Sequence, residues 1–384
     1  MNSRDRVRFA LAHKEGDRVP FDLGGTAVTG IHVNAYRRLR EYLGLPEVKV
    51  GIMQEVQQIA DVDDDVREKL GVDVRTVAPC SSSRFRMEIR QDMPGYSYFY
   101  DEWGIGWRKP SDKGFFYDMF YHPLADAVGK EDIDRHPWPD PIDEARFKGM
   151  EERVKYVKEL KKEAVVLEGL AAGFMEQTAW IRGWGKFYPD FVNNLEMLTY
   201  LMDRFIDLKL AYWDVALRNV GELVDVVLES DDLGGQLGML ISPDMYRRVC
   251  KPRHKRIFDF IKARTNAKIF LHSCGSIRDV IPDLIEIGLD ILNPVQVGAA
   301  HMSSRELKKE FGSELTFWGG LVDTQGVFAS GTPDQVRDEV RRRIEDLAPG
   351  GGFVAAAVHN VQANVPPENI VAMWETLHEY GTFS

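Results

Sequence analysis

The sequence predicts an α/β protein in which residues 1–384 form a single domain, a (β/α)8 barrel. Eight short runs along the chain are apolar almost throughout and do not alternate with polar residues. Strands that are covered on both faces, as in a parallel sheet with helices outside it, have this continuous pattern. Amphipathic helical segments separate the runs, and strands that alternate with helices form parallel βαβ units. The eight predicted strands are residues 19–25, 71–79, 164–170, 224–230, 268–274, 290–296, 315–321 and 352–360.

Two segments in the C-terminal half illustrate the predicted helices. Residues 277–288 and 333–348 carry apolar residues three and four positions apart, with charged residues between them. Thr332 followed by Pro333 is typical of a helix start. The glycines at 350–352 are typical of a helix end and lead into the last predicted strand.

One region, residues 80–160, departs from the alternation of strands and helices. Its stretch RFRMEIRQDMPGYSYFYDEWGIGWRKP has a period of two, is rich in aromatic residues and contains a Pro-Gly turn. This combination predicts an antiparallel hairpin. Because the region follows the second predicted strand, we expect it to rise from the C-terminal face of the barrel as a lid or wall.

Composition limits the classes of partner. The formal net charge is −11, so we expect neither nucleic acid nor an anionic membrane surface as a partner, since both attract positively charged proteins. No apolar run approaches the about 20 residues that span a bilayer, and the N-terminal residues lack a secretory core. We therefore expect a cytoplasmic protein. Its three cysteines are too few for a disulfide framework, so each is a buried thiol, a nucleophile or a metal ligand.

The predicted metal ligands lie at strand ends, where the active site of a (β/α)8 barrel is found. The fifth strand ends in His272 and Cys274, which are two positions apart and therefore face the same side. Glu229 and His359 end two other predicted strands. Zinc accepts thiolate, imidazole and carboxylate ligands, whereas magnesium and calcium prefer oxygen. The four residues predict a zinc site, although a buried thiol beside a hydrogen-bonded histidine is an equally good interpretation of the His-x-Cys pair.

Other residues near the strand ends are predicted to contact the substrate or to take part in catalysis. Asp231 is equally expected in a loop that caps a helix, and core packing is the simpler interpretation of Trp180. The assigned catalytic residues are Glu229, Asp231 and Asn360, and the assigned substrate-binding residues are Asp22, Gln236 and Trp180.

Three longer segments resemble a known family. HSCGSIRDVIPDLIEIGLDILNPVQ, ESDDLGGQLGMLISPDMYRRVCKPRHK and HNVQANVPPENI resemble the uroporphyrinogen decarboxylase-like superfamily, and the likeness extends over residues 17–370. This resemblance implies a (β/α)8 barrel. The His-x-Cys pair is similar to the start of the zinc motif in the corrinoid-dependent methyltransferase branch, which includes methanol, methylamine and O-demethylase enzymes. The Arg-rich R-Q-A-G-R motif of the decarboxylase branch has no counterpart in DLGGTAVTG, the stretch that ends the first strand.

The chain departs from the methyltransferase branch in one respect. The branch has a second cysteine ligand on a late strand, but no cysteine follows Cys274, and His359 is the nearest substitute. A ligand set with one thiolate fewer makes zinc a stronger Lewis acid. That property suits the polarisation of an ether oxygen better than the activation of a thiol.

The resemblance and this departure together lead to a functional hypothesis. We expect a zinc-dependent methyltransferase that moves a methyl group from a methyl ether, such as a methoxylated aromatic, to a Co(I) corrinoid. The corrinoid motif D-x-H-x-x-G is missing from the sequence, so a partner carrier protein must supply the corrinoid (cobalamin). The alternatives are methyl transfer from methylcobalamin to a thiol, decarboxylation of a tetrapyrrole, and a non-catalytic barrel. A homodimer is compatible with the sequence.

Overall fold

A computed structural model describes residues 1–383. In chain order, the strands in this range are β1 (Ile52–Gln54), β2 (Ile59–Ala60), β3 (Val74–Val77), β4 (Tyr96–Tyr100), β5 (Gly106–Pro110), β6 (Asp118–Tyr121), β7 (Ala164–Glu168), β8 (Val226–Ser230), β9 (Lys268–His272), β10 (Ile291–Asn293), β11 (Thr316–Trp318) and β12 (Phe353–Val354).

Seven of these strands form one parallel sheet in the order β12-β11-β10-β9-β8-β7-β3. The segment around Phe21 fills the eighth position between β12 and β3. Phe21 forms a parallel bridge with Ala355, and its carbonyl accepts a hydrogen bond of 2.8 Å from the backbone N–H of Asp73. The predicted (β/α)8 barrel is thus confirmed, although the predicted first strand is reduced to a single bridge.

Alternate residues of the strands fill the inside of the barrel, as a period of two requires. The intervening residues point outward and pack against the helices. Buried side chains from every strand of the sheet line the interior, together with Ala356, which lies two residues beyond β12 and points the same way. These side chains are Val74, Ala164, Val166, Val226, Leu228, Phe270, Ile291, Trp318, Val354 and Ala356.

Helices surround the barrel and connect most of its strands. Thr332 caps the helix that begins at Pro333, as predicted: its Oγ1 accepts the N–H of Gln335 and the Gln335 side chain accepts the N–H of Thr332. The helices are α1 (Ser3–Leu11), α2 (Val33–Tyr42), α3 (Asp64–Leu70), α4 (Lys130–Arg135), α5 (Met150–Lys155), α6 (Phe174–Arg182), α7 (Trp184–Asn193), α8 (Leu195–Val220), α9 (Pro243–Met245), α10 (Lys251–Lys262), α11 (Ile281–Glu286), α12 (Ser304–Phe311), α13 (Val327–Ser330), α14 (Pro333–Leu347) and α15 (Pro367–Tyr380). Short 3-10 segments (Glu144–Phe147, Arg278–Val280) and π-helical segments (Tyr156–Lys161, Tyr246–Cys250) complete the helical structure.

The region between β3 and β7 contains the predicted antiparallel insertion, as the three-stranded sheet β4-β5-β6. We call this sheet the lid sheet and residues 80–160, which contain it, the lid region, after the expectation stated above. The detail differs from the prediction. The main hairpin is β4–β5, which turns at 101–105, whereas the Pro-Gly turn at 94–95 leads to only one bridge, between Arg90 and Tyr98. Within residues 1–383, no helix combines the length and the apolar character needed to cross a membrane.

Candidate metal centre

His272 and Cys274 lie together at the C-terminal end of β9. Phe270 points into the barrel, so the period of two turns His272 to the same side, and Cys274 continues this direction just beyond the strand. The Sγ atom of Cys274 is 3.4 Å from Nε2 of His272. The next residue, Gly275, has φ +86°, and a Cβ atom there would be 2.3 Å from the backbone of Gly234. Glycine is therefore required for the close approach of these two loops.

His359 completes a three-residue group from the other end of the sheet. It lies in the loop after β12, and its ring centroid is 5.3 Å from that of His272. One ligand atom from each of His272, Cys274 and His359 lies within 4.8 Å of the other two. The structure thus brings together three of the four predicted metal ligands.

Hydrogen bonds to neighbouring loops orient the group. Oδ1 of Asn293 is 2.5 Å from Nδ1 of His272, while the Asn293 amide donates to the carbonyl of Trp318 at 2.9 Å. Since the amide nitrogen is engaged by Trp318, Asn293 presents an acceptor, and His272 carries its hydrogen on Nδ1. The Nε2 lone pair is consequently directed towards Cys274. The backbone N–H of Cys274 donates to Asp232 at 2.8 Å, which fixes the position of the thiol.

Burial favours the uncharged forms of Cys274 and His359. It raises the pKa of the Cys274 thiol well above its usual range, and the carboxylates of Asp232 and Glu176 raise it further. Burial also lowers the pKa of His359 to about 4, with His272 contributing in the same direction. The Sγ atom of Cys274 and the Nε2 atom of His272 face each other at 3.4 Å. A cation that binds both atoms obtains one sulfur and one nitrogen ligand.

The donor set suits zinc. One thiolate and two imidazoles are ligands that zinc accepts, and three protein ligands leave a position for a substrate, as in catalytic sites. His359 needs one adjustment, because its Nδ1 accepts the N–H of Asn360 at 2.7 Å. His359 becomes a ligand only if this hydrogen bond breaks. Nδ1 then either binds the ion itself or carries the ring hydrogen, which leaves Nε2 to bind the ion.

Cys274 and His359 line a cavity of about 580 Å³ on the C-terminal face of the barrel. Gln236, one of the predicted substrate-binding residues, lies in its wall and donates to Gln325 at 2.8 Å. Side-chain amides dominate the polar part of the wall, and within residues 1–383 the wall contains no Arg, Lys, Phe, Tyr or Trp. The lining residues are Gly234, Gly235, Gln236, Cys274, Gly275, Gln296, Asp323, Thr324, Gln325, Ala329, Val358, His359, Gln362 and Asn364.

Glu229 does not join the metal group, which corrects its prediction as a ligand and as a catalytic residue. It is only 4% exposed, and both of its oxygens have partners: Lys209 Nζ at 2.9 Å and Trp213 Nε1 at 2.6 Å. Since Val226 and Leu228 point into the barrel, Glu229 points outward to α8. The residue belongs to a buried ion pair behind the sheet.

Asp231 and Asn360, the other two predicted catalytic residues, lie outside the metal group and the cavity wall and have structural partners. Asp231 is fully buried and accepts the backbone N–H groups of Met175 and Glu176, so it caps the start of α6. Asn360 is also fully buried, and its Oδ1 accepts the N–H of Gly30 at 2.5 Å. Its amide donates to the carbonyl of Ala27 and to Gln57, so Asn360 joins the last loop of the barrel to the first.

The other two predicted substrate-binding residues also lie outside the cavity wall. Asp22 is buried inside the barrel, where it accepts hydrogen bonds from Trp318 Nε1 and from the N–H of Gly25, both at 2.8 Å. Burial raises the pKa of Asp22 to about 6. Trp180 packs edge-to-face on Trp107 at 5.5 Å between centroids, and it therefore joins α6 to the lid sheet.

Three residues beside the group were not among the predicted site residues: Asn293, Asp232 and Glu176. Asp232 approaches His272, with 3.9 Å between its Oδ1 and Nε2. Burial, followed by the charges of Asp232 and Asp231, raises the pKa of Glu176 well above its usual value. Glu176 lies in the first turn of α6, where an acidic residue is ordinary, so its sequence context gave no signal.

Comparison with known proteins identifies the family. The family profile described as "Uroporphyrinogen decarboxylase (URO-D)" matches residues 123–380, which is more than half of the chain. The chain belongs to this family. The family resemblance predicted from the sequence is therefore confirmed.

Two curated members of the family are similar to this chain. A protein named uroporphyrinogen decarboxylase from Alkalilimnicola ehrlichii is 24% identical over 290 residues, which cover 73% of each chain. A second protein of that name, from Methylococcus capsulatus, is 23% identical over 286 residues and covers 73% of this chain and 76% of its own. A solved structure, a methyltransferase from Methanosarcina mazei, has a TM-score of 0.61 at 16% identity, with 99% of each chain covered. Because the identity is only 16%, the similarity to this solved structure shows a shared fold.

Proposed function

We propose that this protein is a zinc-dependent methyltransferase that moves a methyl group from an oxygen atom of its substrate to the corrinoid of a separate carrier protein. The observation that supports this most directly is the group of His272, Cys274 and His359, which opens into a cavity at the barrel mouth. A sulfur and two nitrogen ligands at a cavity wall have the composition of a catalytic zinc site.

The chain's own residues position the ligands and exclude water. Asn293 holds His272 with its Nε2 lone pair towards Cys274, and Asp232 holds the backbone of Cys274. Zinc, when bound, supplies Lewis acidity that withdraws charge from a methyl-bearing oxygen. His272 is only 5% exposed, and a carrier protein docked over the cavity would exclude water from Cys274 and His359, which would protect a strongly reducing Co(I) centre.

The cavity wall favours a partner rich in hydrogen-bonding groups. Gln236, Gln296, Gln325, Gln362 and Asn364 contribute amides on several loops. A corrin ring carries amide side chains around its rim, and amides both donate to and accept from one another. The same wall has no Phe, Tyr or Trp side chain to pack against a methoxylated aromatic donor. The methyl donor is therefore to be identified by comparing methoxylated aromatics with small aliphatic ethers and alcohols.

The alternatives are less well supported. Transfer to a thiol is expected with two thiolate ligands, but neither Cys80 nor Cys250 belongs to the three-residue group, which leaves Cys274 as its one sulfur. The curated relatives are named for a decarboxylase of uroporphyrinogen. Such a substrate carries many carboxylates, which need cationic partners, and the cavity wall described above contains no Arg or Lys.

Metal analysis tests the proposal first. We expect about one zinc per chain in the wild type and in Cys80→Ala, a control that removes an exposed cysteine, and loss of zinc in Cys274→Ala. His359→Ala tests the third ligand. Loss of a ligand's hydrogen-bond partner alone typically lowers metal affinity about 10- to 100-fold, so we expect a loss of affinity at least this large. A folded wild type that binds no zinc at micromolar concentrations would exclude the proposal.

Methyl transfer tests the direction and the donor. Co(I) cobalamin is supplied with methanol, an aliphatic methyl ether or a methoxyphenol, and the formation of methylcobalamin is followed by its absorbance. We expect transfer from one of these oxygen donors that requires Cys274. Transfer only from methylcobalamin to thiols, or only decarboxylation of uroporphyrinogen, would replace the proposal with the corresponding alternative.

A further inference from the structure

An exposed segment precedes the lid sheet and has few backbone partners. We call residues 84–90, with the sequence RFRMEIR, the arm. Met87 and Ile89 are 42% and 45% exposed, which is unusual for two large apolar residues so close together. Among the described residues, the backbone N–H groups of 86–89 have no hydrogen-bond partner. The arm therefore has the apolar side chains and the free backbone groups of an unpaired strand.

The arm lies at the edge of the lid sheet in a strand-like orientation. Arg90 exchanges both backbone hydrogen bonds with Tyr98 of β4, at 2.8 and 2.9 Å. The guanidinium of Arg90 also donates to Glu88 at 3.0 Å, which is consistent with side chains two positions apart on one face. Apolar Phe85, Met87 and Ile89 alternate with charged residues along the arm, and this is the pattern of a strand with one buried face.

The sequence of the arm is complementary to itself when two copies run antiparallel with Met87 opposite Met87. Each Arg86 then lies opposite the Glu88 of the other copy, and each Phe85 opposite Ile89. Opposite charges and apolar pairs across strands both stabilise a sheet. The one unfavourable pair is Arg84 with Arg90 at the ends, where long exposed side chains can separate and where Arg90 already contacts Glu88 of its own chain.

We propose that the arm pairs with the arm of a second copy of this chain, so that the two lid sheets are joined across a two-fold axis. Main-chain hydrogen bonds give such an interface its stability, while the Arg86–Glu88 pairs fix its register. Because Arg90 points its backbone groups at β4, the N–H groups of Met87 and Ile89 point away from β4. The second arm gives partners to these two N–H groups and places apolar side chains beside Met87 and Ile89. The interface does not depend on the proposed methyl transfer.

Sedimentation velocity over a range of protein concentrations tests the pairing. We expect a concentration-dependent dimer in the wild type. Arg86→Glu places two carboxylates opposite each other in each pair, and Glu88→Arg places two guanidinium groups there, so each variant alone should dimerise at least about tenfold more weakly. Lys186→Glu, a charge reversal at an exposed residue on α7, is the control and should leave the dimer unchanged.

The mixture of the two variants gives the sharper result. Chains with Arg86→Glu and chains with Glu88→Arg have complementary arms, so they should form a mixed dimer although neither dimerises well alone. The double variant Arg86→Glu/Glu88→Arg restores both pairs within one chain and should dimerise as the wild type does. A wild type that stays monomeric up to about 100 μM, a range in which weak interfaces are detected, overturns the proposal. If neither single variant weakens dimerisation, the proposal is also overturned, because the dimer must then form through another surface.

Discussion

Asn293 shows how one residue outside the ligand group determines what a ligand can do. Its side chain is fully buried and connects two elements: it accepts from His272 and donates to the carbonyl of Trp318 on the neighbouring strand. If the amide were reversed, an N–H would face Nδ1 and a carbonyl oxygen would face a carbonyl oxygen. This arrangement therefore selects the tautomer of His272 that offers Nε2 to an ion.

Removal of this hydrogen bond should weaken metal binding without unfolding the protein. In Asn293→Ala, we expect the zinc affinity to fall about 10- to 100-fold, as is typical when the partner of a histidine ligand is lost. Competition with a chelator of known affinity measures the effect, and far-UV circular dichroism monitors the fold.

Asn369→Ala is the matched control for this change. Asn369 is equally buried and donates to the carbonyls of Phe328 and Gly331, away from the ligand group. It should lower the free energy of unfolding and leave the zinc affinity unchanged. Equal losses of zinc affinity in both variants would mean that Asn293 contributes only to stability.

The site could be predicted in part because strand residues alternate in direction. His272 and Cys274 share a face by their spacing alone, and the structure places both at the mouth. Glu229 was misplaced because VDVVLES is apolar on both faces, so its pattern does not indicate which residues point inward. Asn293 and Glu176 could not be predicted, since their importance depends on contacts between segments that are far apart in sequence.

At the scale of elements, one arginine attaches the lid region to the barrel helices. Arg182, at the end of α6, is 5% exposed, and its Nη1 donates to the carbonyls of Leu124 and Ala127 at 2.7 and 2.9 Å. Its Nε donates to Asp190 of α7 at 2.7 Å. A single guanidinium thus satisfies carbonyls of the lid region and neutralises a buried carboxylate on the next helix.

Arg182→Met should therefore be strongly destabilising. It retains the apolar volume but leaves Asp190 buried without its cation, a defect that typically costs about 3–5 kcal/mol. Urea unfolding followed by tryptophan fluorescence measures the change. Arg256→Met removes an exposed ion pair with Asp207 and should cost less than about 1 kcal/mol. A small effect of Arg182→Met, comparable to this control, would show that water solvates Asp190 when the arginine is removed.

The helix predicted at 333–348 is present, whereas the one predicted at 277–288 is divided into a 3-10 segment, Arg278–Val280, and the short α11. The element that depends on closure of the barrel, the first strand, was not predicted well. The capped helix α14 begins at the predicted residue because Thr332 and Pro333 act locally. The predicted first strand forms a single bridge, because Phe21 must pair with segments on either side that close the barrel. Such closure depends on the curvature of the entire sheet, which no local pattern contains.

At the scale of the whole molecule, the metal group joins parts of the barrel that are distant in sequence. His272 ends β9 and Cys274 follows it, whereas His359 follows β12, and β10 and β11 lie between these two strands in the sheet. Asn360 in turn connects the loop of His359 to Ala27 and Gly30, which lie in the first loop of the barrel. An ion held by all three ligands would therefore restrain the C-terminal half of the barrel and its closure.

This arrangement predicts that zinc stabilises the folded chain as a whole. An ion that binds only the folded state stabilises it by about 4 kcal/mol when its free concentration is 1,000 times the Kd, so Tm should fall by about 5 °C on chelation. Differential scanning calorimetry with and without a chelator measures this change in the wild type and in Cys80→Ala. In Cys274→Ala, the chelator should have no effect, and Tm should already equal that of the metal-free wild type. If the wild type holds one zinc per chain and its Tm is the same with and without the chelator, the ion is bound elsewhere or equally well by the unfolded chain, and the three-residue group is not its site.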